Sequence, residues 1–253
     1  MRTQPAMHDA AMQPAFTAPR IEAALIDLDG TMVDTLDDFV AALNGMLAQL
    51  DAPRVTRDEV AGYIGKGSEH LIRSVLAPRF AAHDAHERFD AAFTRYQHEY
   101  AKINGHHTRL YPDVEAGLTA LRNADLKLVC VTNKPHRFAV ELLRQYGLLD
   151  HFCVVLGGDS TPEKKPSPLP MLTACAQLGV VPAAAVAIGD SENDALAGRA
   201  AGMATLTVPY GYNHGRPARQ IASDGIVTTL LDAARAIAIH NAFAPEALPP
   251  ASR

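Results

Sequence analysis

Cysteine is scarce in this chain, and Cys130, Cys153 and Cys175 are odd in number and widely spaced. That excludes a disulfide framework and the paired spacing of a zinc knuckle. Two of the three sit inside apolar runs, and all read as reduced core residues. No apolar run approaches the roughly 20 residues a membrane span needs. Long basic blocks are missing too: 23 Lys and Arg against 28 Asp and Glu give a formal charge of −5. This argues against nucleic acid or an anionic membrane as the main partner. A reducing cytoplasm fits the unpaired cysteines, and the first twenty residues lack the unbroken apolar segment of a signal peptide. What is present is globular: 253 residues, 48% hydrophobic and 20% charged, enough for one large domain or a domain carrying an insertion.

The most informative stretch is Asp27-Leu28-Asp29-Gly30-Thr31, which follows the apolar run Ala23-Ala24-Leu25-Ile26. Such a run suits a buried parallel strand. Two carboxylates one residue apart at its end are costly to bury unless paired or metal-bound. With Leu28 facing the other way, both acids address one space beyond the strand tip. A hard divalent cation would be drawn there, and one acid could attack an electrophile the cation has neutralised. The bland alternative is a solvated acidic turn.

After Thr35 the pattern is helical up to Thr108, starting with Leu36, Phe39, Val40, Leu43, Met46, Leu47 and Leu50. Thr56 and Glu59 resemble a capping box for a short helix ended by Gly65, and Ser68 is expected to cap the next. From Tyr111 onward strands alternate with helices: Leu126–Val131, Phe152–Leu156, Val186–Ile188, Ala204–Val208 and Ile226-Val227 read as strands. The expected architecture is α/β: a doubly wound, Rossmann-like parallel sheet with an inserted α-helical cap. The core would comprise 20–35 and 108–243, the cap 36–107, and the tails 1–19 and 244–253 would be disordered.

Ligands of open α/β sheets bind beyond the carboxyl ends of the strands, and the polar residues collect there. Asp27 and Asp29 follow the first strand, Thr132 and Asn133 the Leu126–Val131 strand, and Asp190, Ser191 and Asp194 the Val186–Ile188 strand, with Lys165 in a Pro-rich stretch nearby. Each cluster taken alone could be a turn, a helix cap or a solvated loop. Together they supply the parts of phosphoryl transfer: a carboxylate nucleophile, a second acid, a hydroxyl and an amide for phosphoryl oxygens, a fixed cation, and acids for Mg²⁺.

The set Asp27–Thr31, Val131-Thr132-Asn133, Lys165-Pro166-Ser167-Pro168 and Gly189–Gly202 resembles the haloacid dehalogenase superfamily, most closely its phosphoglycolate phosphatases. The resemblance spans about 21–239, and Gly202–Gly215 is particularly like the phosphatases. It implies that Asp27 attacks phosphorus to give an aspartyl-phosphate and that Asp29 protonates the leaving alkoxide, then activates water. Thr132, Asn133 and Lys165 would hold the phosphoryl group. Mg²⁺ would lie between Asp27, Asp190 and the backbone carbonyl of Asp29, with Asp194 in support. An acid at Asp29 favours ester hydrolysis or a mutase over dehalogenase-like members, which lack one.

The substrate implied is a small phosphorylated metabolite, with 2-phosphoglycolate first. Another phosphosugar phosphatase, a β-phosphoglucomutase-like mutase and, more remotely, a phosphorylated receiver module are the alternatives. Gly65-Lys66-Gly67-Ser68 lies between two cap helices. Lys66 and the following helix N-terminus would suit a substrate carboxylate; the plain reading is a helix–helix turn with an exposed Lys. The cap histidines His83, His86, His98, His106 and His107 are expected to face solvent.

Overall fold

The computed structural model describes residues 18–245. The tails expected to be disordered, 1–19 and 244–253, lie almost wholly outside those residues. In chain order, the first strand β1 (Ala23–Ile26) and a short β2 (Val33–Asp34) precede four helices. These are α1 (Leu36–Ala48), α2 (Arg57–Ala61), α3 (Ser68–Leu76) and α4 (Ala82–Ile103). Then come β3 (Arg109–Leu110), α5 (Val114–Asn123), β4 (Lys127–Val131), α6 (His136–Gln145), β5 (Val154–Leu156) and α7 (Leu169–Leu178). The chain ends with β6 (Ala185–Gly189), α8 (Glu192–Ala200), β7 (Ala204–Thr207), β8 (Gly225–Ile226) and α9 (Leu230–Phe243).

Six strands form one parallel sheet in the order β5-β4-β1-β6-β7-β8. The order reverses at β1, which pairs with β4 on one side and β6 on the other. The three strand ends with the expected site residues are therefore neighbours at the switch point, where open α/β sheets place ligands. All four residues of β1 are buried. Ala24 and Ile26 pack with Leu118, Leu121 and Leu230 on one face; Ala23 and Leu25 pack with Met171, Ala174 and Ala197 on the other. Two buried faces explain why this strand reads as a continuous apolar run rather than an alternating one.

The insertion is all helical and carries its own apolar cluster, including Phe39, Leu43, Met46, Ile72, Tyr96 and Tyr100. Phe138 of α6 joins that cluster and seats the cap on the core. Where the chain leaves and re-enters the core, β2 and β3 pair antiparallel, Val33 with Leu110 and Asp34 with Arg109. Strands of two residues have no periodicity to read, so the sequence showed none there. Asp38 ties the same crossing: buried, it accepts from Gly105 N–H at 2.8 Å, His107 N–H at 2.7 Å and the Thr108 hydroxyl at 2.6 Å.

Four local expectations change. Thr56 does accept from Glu59 N–H, at 3.3 Å, but α2 stops at Ala61 rather than Gly65. Gly67, at φ +86°, precedes α3, and Ser68 is its first helical residue rather than its cap. Cys130 and Cys175 are buried as expected, whereas Cys153 is exposed because it precedes the short β5. Helix α9 runs on to Phe243, past the expected end near Ile239. The five cap histidines are exposed, and no helix among the described residues is long and apolar enough to cross a membrane.

Candidate active site

Asp27 follows β1, and its backbone N–H still donates to Ile188 of β6 at 2.9 Å, so the sheet itself fixes this residue. Lys165 Nζ lies 2.8 Å from Asp27 Oδ1 and 2.6 Å from Asp194 Oδ1, and donates to the Val131 carbonyl at 2.6 Å. Two of its three N–H groups are thereby occupied, and the third lies against Asp27 without an aligned hydrogen bond. Burial opposes the charge on Lys165, but Asp194 and Asp27 outweigh it and hold the ammonium above its usual range. Burial also pushes the Asp27 carboxyl well above the ordinary carboxylate range, against the pull of Lys165. The Asp190 carboxyl is pushed up to about 7, by burial first and by Asp194 second.

Oxygens of Asp27, Asp190 and Asp194 lie within 4.8 Å of one another. One ammonium among three carboxylates leaves negative charge uncompensated, and Asp27 Oδ1 receives no aligned hydrogen bond despite its burial. This donor set fits a hard divalent cation. Asp190 is placed for it by Thr31, whose hydroxyl donates to Oδ1 at 3.1 Å, and by Tyr212 N–H, which donates to Oδ2 at 2.7 Å. Gly30 and Gly211 leave the room its carboxylate occupies: a Cβ at either would come within 2.5 Å of an Asp190 side-chain atom. Asp194 stands differently, because Oδ1 faces Lys165 while Oδ2 accepts from Ser191 N–H at 3.1 Å and the Ser191 hydroxyl at 2.7 Å. It is both the helix-capping acid of α8 and the second anchor of Lys165.

Asp29 is held on the side facing the cap. Its Oδ1 accepts from the Thr35 hydroxyl at 2.7 Å and from Lys134 Nζ at 3.0 Å. Thr132, after β4, is buried; its Oγ1 accepts from Lys134 N–H at 3.2 Å, which leaves its O–H to donate. Asn133 differs from the expectation of a free amide. Its Nδ2 donates to Gly65 O at 2.8 Å and to Lys165 O at 2.8 Å, so both amide hydrogens tie other loops. Asn193 adds a second bond to Gly65 O at 3.1 Å. The cap loop is thus latched to the core by its backbone.

A cavity of about 40 Å³ lies between these groups and the cap. Asp27, Asp29, Thr132, Asn133, Lys165 and Asp194 all line it; from the cap loop Gly65, Gly67 and Ser68 do. Lys66 does not, and its side chain is exposed. The loop enters the cavity through its glycines, at φ +107° and +86°, and leaves Lys66, expected to read the substrate, outside the lining. The cation that the sequence reading missed is Lys134, which lines the cavity and is 2% exposed in its side chain. Its one sequence signal was adjacency to Thr132-Asn133 at the same strand end.

The model of the family described as haloacid dehalogenase-like hydrolase matches residues 24–208. A phosphoglycolate phosphatase of Nitrosospira multiformis is 42% identical over 217 residues, covering 86% of this chain and 96% of that protein. A plasmid-encoded phosphoglycolate phosphatase of Cupriavidus necator is 45% identical over 214 residues, covering 82% of this chain and 89% of that protein. Among solved structures, a predicted phosphoglycolate phosphatase from Haemophilus somnus superposes with a TM-score of 0.80 at 31% identity, covering 85% of this chain and 97% of that one. With acids at the end of β1, a lysine bridging one of them to Asp194 and an inserted helical cap over the cavity, this chain belongs to the haloacid dehalogenase-like hydrolase family.

Proposed function

We propose that this hydrolase is a Mg²⁺-dependent phosphomonoesterase that works through an aspartyl-phosphate and acts on 2-phosphoglycolate. The observation that carries the chemistry is the Asp27 carboxylate, fixed at the switch point beside Lys165 and within reach of Asp190 and Asp194. Asp27 attacks phosphorus, the bond from phosphorus to the ester oxygen breaks, and Asp29 gives that oxygen its proton. Asp29 then takes a proton from water, whose oxygen attacks the phosphoaspartate and releases phosphate. Asp27, Asp190 and the Asp29 carbonyl would hold Mg²⁺, which supplies charge neutralisation at a phosphoryl oxygen. The Thr132 hydroxyl, Lys165 and the Asn133 backbone N–H are the groups offered to the remaining oxygens, since the Asn133 side chain is spent on the latch.

The choice of 2-phosphoglycolate is supported by the names of the relatives. The test is a panel of phosphate esters with and without Mg²⁺. The highest kcat/KM is expected for 2-phosphoglycolate, with activity lost in EDTA. Isomerised hexose phosphate as the product, or no phosphate release from any ester, would overturn the reading.

A further inference from the structure

Resting on the phosphoglycolate reading, a second question is what meets the substrate's carboxylate. Away from Asp27 the cavity wall is mainly aromatic and aliphatic, with Phe39, Ile64, Leu71, Tyr96 and Phe138, and with Ser68 at the start of α3 among them. A carboxylate carried against such a wall without a partner is costly. Among the described residues lining the cavity the cations are Lys134 and Lys165. Lys165 gives two N–H groups to Asp194 and the Val131 carbonyl, and its third lies against Asp27, at the end of the cavity where the phosphoryl group would sit. Lys134 has two partner residues: Asp29, with Oδ1 at 3.0 Å and Oδ2 at 3.4 Å, and the Tyr100 hydroxyl at 2.5 Å. One N–H shared between the two Asp29 oxygens and one on Tyr100 leave a third donor.

Lys134 Nζ is held in place by the cap as well as by the core. It lies 4.8 Å from the Phe39 ring centre and 4.7 Å from that of Tyr100, attractive cation–π distances. The Tyr100 hydroxyl accepts from Lys134 and keeps its own hydrogen; burial holds that phenol well above its usual range, so it stays a donor. Connectivity then fixes the reach. In the reaction Asp29 hydrogen-bonds the ester oxygen, and in a glycolate ester the carboxylate carbon is two bonds from that oxygen. A cation bonded to Asp29 is therefore beside the carboxylate when the acid is in position. It also separates two like charges that would otherwise repel.

We propose that Lys134, helped by the Tyr100 hydroxyl, binds the carboxylate of the leaving alcohol and so selects α-carboxylate phosphoesters over uncharged ones. Lys134 is thus the specificity-determining residue.

The experiment compares kcat/KM for 2-phosphoglycolate and for ethyl phosphate, which carries a methyl group where glycolate carries its carboxylate. In Lys134→Met the ratio falls by on the order of 10- to 100-fold, the loss of one charge-assisted hydrogen bond, and Lys134→Arg recovers part of it. Equal falls for both esters would overturn the assignment and leave Lys134 as a support for Asp29 alone. Should Lys134→Met not fold, Tyr100→Phe decides: its ratio drops about 3- to 10-fold, and an unchanged ratio overturns the proposal. Calorimetry on the wild type adds a readout without turnover: 3-phosphonopropionate binds more tightly than propylphosphonate, and equal affinities overturn the proposal. Failure of the substrate reading looks different, because the wild type itself then shows no preference for 2-phosphoglycolate over ethyl phosphate.

Discussion

The two walls of the cavity are built on opposite principles. The core wall is a sheet edge where each functional side chain has several partners at fixed positions: Lys165 has three, Asp190 two and Asp194 three. The cap wall is apolar, packed on its own cluster, and joins the core through the Asp38 contacts, the β2–β3 pairing, Phe138 and the latch at Gly65. Phosphoryl chemistry is the same for every ester and gains from preorganised charge. The leaving group differs between substrates, and a separate module can change its wall without disturbing the acids. Lys134 is where the two meet: its backbone belongs to the core, its surroundings to the cap.

The largest effect is expected on the core wall. Asp27→Asn removes the proposed nucleophile and is expected to lower kcat on the order of 10⁴-fold or more; rapid-quench trapping of the phosphoenzyme checks it, and near-normal turnover would exclude Asp27. At the crossing, Asp38→Ala leaves the donors of Gly105, His107 and Thr108 unpaired. We expect about 3 kcal/mol of lost stability, read by urea unfolding; a change within about 0.5 kcal/mol would show that the crossing relies on the ribbon instead.

Next in size is Asp190→Asn, which sharpens the charge argument. With free Mg²⁺ at about 100 times its dissociation constant the wild type gains about 2.7 kcal/mol. The variant, with less crowding of carboxylates, gains little, as followed by thermal unfolding with EDTA and with Mg²⁺. An equal gain in both would place the cation elsewhere. Smallest is Asn193→Ala, which removes one of two donors to Gly65 O. It weakens the latch by about 1 kcal/mol, seen as roughly a fivefold higher KM with kcat little changed; a fall confined to kcat would contradict a latch.

Much of the core wall was legible residue by residue. Asp27 and Asp29 stood out because an apolar run cannot end in two acids without a charge-based reason, and Asp190 and Asp194 because they repeat that pattern after another strand. Other parts were hidden for a common reason. Lys134 in an Asn-Lys-Pro turn looks like any solvated lysine, and only the packing of Phe39 and Tyr100 over it makes it a buried cation. Asp38 looks like an ordinary acid in a first helical turn until the far end of the cap returns to it. Asn133 offered an amide to phosphate until Gly65 claimed it.

By itself the sequence determined the alternation of strand and helix, the helical insertion and the acids at the strand ends. Periodicity and turn chemistry act between near neighbours in the chain, and so can be read from it. Tertiary structure decided that β1 lies between β4 and β6, which gathers Asp27, Thr132 and Asp190 at one edge. It also decided that Lys134 rather than Lys66 faces the cavity. Those outcomes depend on which faces bury one another across more than a hundred residues of chain, and no local pattern carries that information.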